Sequence, residues 1–116
     1  MDYLILVINP GSTSTKVAIF NNDKLIQEQP LKHDVGNIGK FPTIIAQKDF
    51  RRQIIVDFLT EHRYSLTDID VFVGRGGILK PLKSGGTYLV TPEMVEELKS
   101  AKYGSHASNL GAVLAY

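Results

Sequence analysis

Residues 3–8, Tyr-Leu-Ile-Leu-Val-Ile, form an unbroken apolar run that Asn9-Pro10-Gly11 ends at once. A short run bounded by turn residues suits a strand buried on both faces, and therefore a central one. It is too short to span a bilayer. Asp2 stands where a signal peptide would carry its basic segment, so no secretory leader is expected. After a small, hydroxyl-rich loop, Lys16-Val17-Ala18-Ile19-Phe20 resumes β character, and Asn21-Asn22-Asp23 marks a tight turn. Residues 24–31 read as a third, more polar strand nearer an edge. Consecutive strands with short connections make an antiparallel meander.

The periodicity then changes. Phe50, Ile54, Ile55, Phe58 and Leu59 recur on one stripe, while Lys48, Asp49, Arg51, Arg52, Asp57 and Glu61 fill the other faces. This spacing predicts an amphipathic helix over residues 43–62. Residues 65–68 form a turn, and residues 69–73 a short apolar strand ending at Gly74-Arg75-Gly76-Gly77. Strand, helix and buried strand in that order suggest a right-handed crossover. Residues 78–82 and 87–90 suit a small hairpin around Ser84-Gly85-Gly86. Thr91-Pro92-Glu93 opens a helix with a capping hydroxyl, Pro at the first position and an acid in the first turn. Met94, Val95 and Leu98 give it an apolar face, and Gly104 is the expected stop. A last helix opens at residues 105–109 with Leu110, Val113 and Leu114 on one stripe, and Tyr116 follows with no stop signal. The expectation is a chain cut inside a helix, the N-terminal piece of something longer.

Composition narrows the function classes. Thirteen Lys and Arg against 12 Asp and Glu leave a net charge of +1 over 116 residues, which argues against a nucleic-acid binder working through bulk charge. With 43% hydrophobic and 22% charged residues the chain suits one folded domain. No Cys is present, which excludes disulfides, thiol catalysis and zinc–thiolate sites. The default location is the cytoplasm. His33 and His62 have no supporting pattern and are assigned to the surface. Asp23, Asp68 and Asp70 read as turn and capping residues.

Three segments could carry chemistry. In Asn9-Pro10-Gly11-Ser12-Thr13-Ser14-Thr15-Lys16, backbone N–H groups and hydroxyls could meet phosphate oxygens, with Lys16 as a point charge. The segment is not a Walker A loop, because a strand follows where a helix should. An ordinary polar turn is the plainer reading. In Gly74-Arg75-Gly76-Gly77 the glycines leave the Arg75 fork open to a carboxylate or phosphate, beyond the C-terminal end of a strand where open α/β sheets bind ligands. A Gly-rich turn with a solvated Arg is the alternative. In Gly104-Ser105-His106-Ala107-Ser108-Asn109, His106 could donate to an anion, unless Ser105 or Ser108 simply caps the helix and His106 is merely exposed.

Taken together, these segments resemble a known family. Val7-Ile8-Asn9-Pro10-Gly11-Ser12-Thr13-Ser14-Thr15-Lys16 resembles the first signature of the acetate and butyrate kinases, which share a superfamily with sugar kinases, Hsp70 and actin. Pro10 and the Thr-rich spelling are nearer the butyrate kinase branch. Val73-Gly74-Arg75-Gly76-Gly77-Ile78-Leu79-Lys80-Pro81 is similar to the family's arginine segment. Gly104-Ser105-His106-Ala107-Ser108-Asn109-Leu110-Gly111 is similar to its third segment, where acetate kinases carry His-Asn-Pro.

The resemblance implies an α/β, ribonuclease-H-like (actin-like ATPase) lobe with a mixed sheet, the three-strand meander being followed by a helix–strand crossover. It implies ATP with Mg²⁺ as cofactor and phosphorylation of a short-chain carboxylate, butyrate by preference, to an acyl phosphate. By motif position, Asn9 would lie near Mg²⁺ and the phosphates. Gly11, Ser12, Ser14 and Lys16 would form the first phosphate loop. Arg75, with Gly76 and Gly77, would hold the substrate carboxylate or the transferring group. His106 would steady the transition-state oxygens, and Asn109 would support that segment. A carboxylate nucleophile is ionised at neutral pH, so no general base is needed. The nucleotide lobe and further metal-site residues are expected beyond Tyr116, so the chain alone should be inactive and the full-length protein a homo-oligomer. No nucleic acid or membrane partner is expected. An acetate or propionate kinase, and a non-catalytic ATP-binding switch of the same superfamily, stay open. A ribonuclease-H-like nuclease would need an acid on its first strand, and residues 3–8 hold none.

Overall fold

The computed structural model describes residues 2–75, 88–101 and 106–115. They form an α/β fold around a four-stranded mixed sheet in the order β3-β2-β1-β4. Strand β1 spans Leu4–Pro10, β2 Ser14–Asn21 and β3 Lys24–Lys32, and the three pair antiparallel as the expected meander. A register shift between Ile19 and Phe20 leaves Ile26 as an extra residue on β3. The turn between β2 and β3 is made by Asn22, whose φ of 56° is a left-handed value that Asn tolerates. Its side-chain oxygen also accepts from the Tyr3 amide at 2.8 Å.

After the short helix α1 (Val35–Ile38), a 3-10 turn over Ile45–Gln47 leads into α2, Lys48–Glu61. The helix therefore begins five residues later than the apolar spacing suggests. It ends without glycine. Arg63 takes φ 65°, while the Arg63 and Tyr64 amides bond back to the Thr60 and Leu59 carbonyls at 3.0 and 2.8 Å. These are the bonds of a Schellman stop. A capped turn over Leu66–Asp68, with Ser65 and Asp68 exchanging hydrogen bonds, then delivers β4, Val71–Gly74. Strand β4 lies parallel to β1 on its free side, with Ile8 opposite Gly74. That makes β1 central and β3 an edge, as expected.

Helix α3 (Pro92–Ser100) starts as the sequence indicates, with Thr91 Oγ1 accepting from the Met94 amide at 3.2 Å. It stops at Ala101 in a left-handed conformation, before Gly104, which lies outside the described residues together with residues 78–87 of the expected hairpin; residues 88–90, expected to complete its second strand, are described and form no strand. A 3-10 turn over Ala107–Asn109 enters α4, Leu110–Ala115.

The core sits on one face of the sheet. Leu6 and Ile8 of β1 pair with Ile19 and Val17 of β2, and Ile55, Phe58 and Leu59 of α2 cover them. The opposite face of β1, Ile5 and Val7, is only half-buried, which corrects the expectation of a strand buried on both faces. Leu110 and Val113 of α4 are buried, and Ala112 and Val113 join Val95 and Leu98 of α3 in a second cluster. No helix among the described residues is long and apolar enough to cross a membrane.

Candidate functional site

Parallel pairing of β1 and β4 places the ends of both strands side by side. The Arg75 amide donates to the Ile8 carbonyl at 3.0 Å, so Arg75 begins where Asn9 leaves the core. Arg75 Nη1 donates to Asn9 Oδ1 at 3.4 Å, a long bond. The third segment is brought to the same edge by a contact between glycines. A Cβ on Gly74 would collide with the Gly111 carbonyl, and a Cβ on Gly111 with the Arg75 carbonyl. Only two glycines let α4 rest its backbone against the end of β4. His106 and Ser108, just ahead of α4, are thereby set beside Arg75.

The result is an open cleft of about 370 Å³ lined by Asn9, Pro10, Gly11, Ser14, Lys16, Pro30, Arg75, His106 and Ser108. Six of the residues singled out from the sequence meet here: Asn9, Gly11, Ser14, Lys16, Arg75 and His106. Ser12 is exposed at the loop tip and does not line the cleft. Asn109 is buried beneath it, its amide donating to the His106 carbonyl at 2.9 Å. Gly76 and Gly77 lie outside the described residues.

His106 is itself the cap of its turn. Its Nδ1 accepts from the Ser108 amide at 3.0 Å and lies 2.9 Å from Ser108 Oγ. With Nδ1 used as acceptor, the neutral ring carries its proton on Nε2, which leaves Nε2–H as the donor. His106, not Ser108, is the cap of the turn; Ser105, the other candidate, lies outside the described residues. Lys16 forms an exposed ion pair with Glu28 at 3.3 Å. Exposed pairs of this kind contribute about 0–1 kcal/mol, so an anion could draw Lys16 away at little cost.

Behind the loop lies a buried polar cluster that the sequence reading placed elsewhere. Arg51, expected on the charged face of the helix, is fully buried at 0% exposure. Its Nε and Nη2 donate to Gln47 Oε1 at 3.0 and 2.9 Å. Nη1 reaches the Ser14 carbonyl at 3.0 Å and Thr15 Oγ1 at 3.1 Å, and Nη2 the Ser12 carbonyl at 3.2 Å. His33, expected at the surface, is 6% exposed, with Nε2 2.9 Å from Thr15 Oγ1 and its ring edge-on to Phe50. Burial first, and the Arg51 charge second, hold its pKa below the ordinary imidazole value. His62 is also drawn inward, its Nδ1 2.9 Å from the Phe58 carbonyl. The signal for Arg51 was present: it lies four residues before Ile55 and seven before Phe58, on the buried stripe.

The cleft offers cations, hydroxyls and amides, and none of its lining residues is acidic. That donor set suits phosphate or carboxylate oxygens. It does not suit a metal by itself, since Mg²⁺ is held by carboxylates together with phosphates and water. Asn9, the one residue expected near Mg²⁺, offers a neutral oxygen, and Arg75 engages it. Among the described residues no group of three or more His, Cys, Asp or Glu side chains could hold a metal ion. Among the described residues His106 is the one aromatic side chain lining the cleft. No protein-family model matches the chain.

Proposed function

We propose that this chain is the substrate-binding, N-terminal lobe of a short-chain fatty acid kinase, with butyrate as the leading substrate, and that its cleft holds the carboxylate and the transferring phosphoryl group. The observation that carries the reading is the meeting of Asn9, Gly11, Ser14, Lys16, Arg75 and His106 around one cleft from three separate sequence segments. The strand order β3-β2-β1-β4, with an antiparallel meander and a parallel fourth strand, supports a ribonuclease-H-like lobe.

In this reading the Arg75 fork binds an oxygen pair of the substrate or phosphoryl group, while Lys16 and His106 Nε2–H face the remaining oxygens. Such transfer is accelerated mainly by positioning and by donors placed around spread negative charge. The substrate carboxylate attacks phosphorus as the anion, so the absence of an acid or a free base from the lining is compatible with the chemistry. ATP would supply the γ-phosphoryl group, whose bond to the bridging oxygen breaks as ADP leaves, and would bring Mg²⁺ with it. Adenine and most of the metal shell then belong to a second lobe, and the protein works in the cytoplasm as a homo-oligomer.

Hydroxylamine trapping of acyl phosphate tests the reading in the full-length protein, with acetate, propionate, butyrate and isobutyrate compared under ATP–Mg²⁺. Hydroxamate should form fastest with butyrate. Arg75→Lys, which keeps the charge and loses the fork, should lower kcat/KM at least about 100-fold. A change within about twofold would reduce Arg75 to a turn residue and overturn its assigned role.

A further inference from the structure

Arg51 is a buried cation with no carboxylate bonded to it among the described residues. All five of its N–H donors are spent, and every acceptor is neutral: Gln47 Oε1 twice, Thr15 Oγ1, and the Ser12 and Ser14 carbonyls. Burying a charge without a counter-ion is costly, and an apolar side chain of similar size would pack the base of α2 more cheaply. The bonds show what the charge does instead. Ser14 O already accepts from the Gly11 amide at 2.7 Å, closing the turn that lines the cleft. Arg51 grips that same carbonyl and the Ser12 carbonyl, so one rigid fork ties the turn to α2 from behind.

We propose that Arg51 is a positioning residue for anion binding: it fixes the turn of residues 11–14 and leaves its charge to be balanced by the anion in the cleft, which it does not touch. The inference rests on the anion-binding reading of the cleft. Thr15 is the hinge of the arrangement, because its hydroxyl takes the Arg51 Nη1–H and also meets His33 Nε2. Lys cannot reproduce the hold, since a single ammonium cannot span Gln47, Thr15 and both carbonyls.

The 116-residue chain would be titrated with inorganic phosphate, following backbone amide shifts at Gly11, Ser14, Lys16 and Arg75. Wild type should bind with shifts at these positions. Arg51→Lys should bind about fivefold or more weakly, in proportion to the lost hydrogen bonds. Thr15→Val, which keeps the Arg51 charge and removes one acceptor, should bind about twofold more weakly. Ile55→Val, a core change in the same helix, should lower Tm and leave phosphate affinity unchanged, which separates positioning from general loss of stability. If Arg51→Lys does not fold, Thr15→Val against Ile55→Val decides. Wild-type binding with unchanged affinity in the Arg51 and Thr15 variants overturns the inference alone. No phosphate shifts in wild type overturn both it and the anion reading of the cleft.

Discussion

Among single residues, His33 combines burial with a nearby positive charge. Its Nδ1 is buried with no hydrogen-bond partner, and Arg51 stands nearby across Thr15. The neighbouring carboxylate, Asp34, is committed to capping the Gly36 amide at 2.7 Å. A second positive charge at this point would be unopposed. Because the folded pKa lies below the ordinary value of 6.5, the unfolded chain takes up a proton first as the pH falls. The stability that depends on neutral His33 is therefore complete above about pH 6.5 and is lost progressively below it, towards the folded pKa. Thermal unfolding between about pH 7.5 and pH 5 should show a falling Tm, and His33→Gln, which keeps a group able to meet Thr15, should flatten that fall. Equal slopes in the two proteins would assign the acid sensitivity to other groups.

At the scale of elements, the decisive joint is between β4 and α4. Short helices have little stability of their own, and α4 is held by what it packs against. Ala112 and Val113 pack on Val95 and Leu98 of α3, Leu114 and Ala115 pack against the main core, and Gly74 and Gly111 allow the backbones of β4 and α4 to touch. Gly111→Ala puts a methyl group against the Arg75 carbonyl, where backbone must move. The expected cost is at least about 2 kcal/mol in urea unfolding. His106 should move away from Arg75 as well, so phosphate-induced shifts at His106 should shrink more than those at Gly11. A neutral Gly111→Ala would mean that α4 is not seated on β4 by this contact.

The whole molecule is asymmetric across its sheet. The described helices that contribute to the main cluster, α2 and the end of α4, lie over Leu6, Ile8, Val17 and Ile19. Ile5, Val7, Phe20 and Val73 point to the other face and are half-buried. Truncation should report that difference. Leu6→Ala should cost about 2–5 kcal/mol, as for a filled core site. Val7→Thr, similar in shape but polar, should cost under about 1 kcal/mol if that face keeps access to water. Comparable losses at both positions would show that the second face is covered as fully as the first.

Local pattern was enough for most of the elements, though not for the short helix α1 or the start of α2. The apolar run of β1, the Val17–Phe20 run of β2, the Asn-rich turn after it and the Thr91-Pro92-Glu93 cap each act within a few residues, so neighbouring side chains specify them. The site's components were legible for the same reason, since Gly-rich and hydroxyl-rich loops mark themselves in sequence. Their arrangement was not. That Asn9, Arg75 and His106 share one cleft depends on β4 pairing parallel with β1 and on two glycines meeting across α4, contacts between residues far apart in the chain. Arg51 and His33 were misplaced because residue type alone puts charge and imidazole at the surface. Both are buried because a turn on another element presents carbonyls and a hydroxyl to satisfy them, and only the folded chain decides where such partners stand.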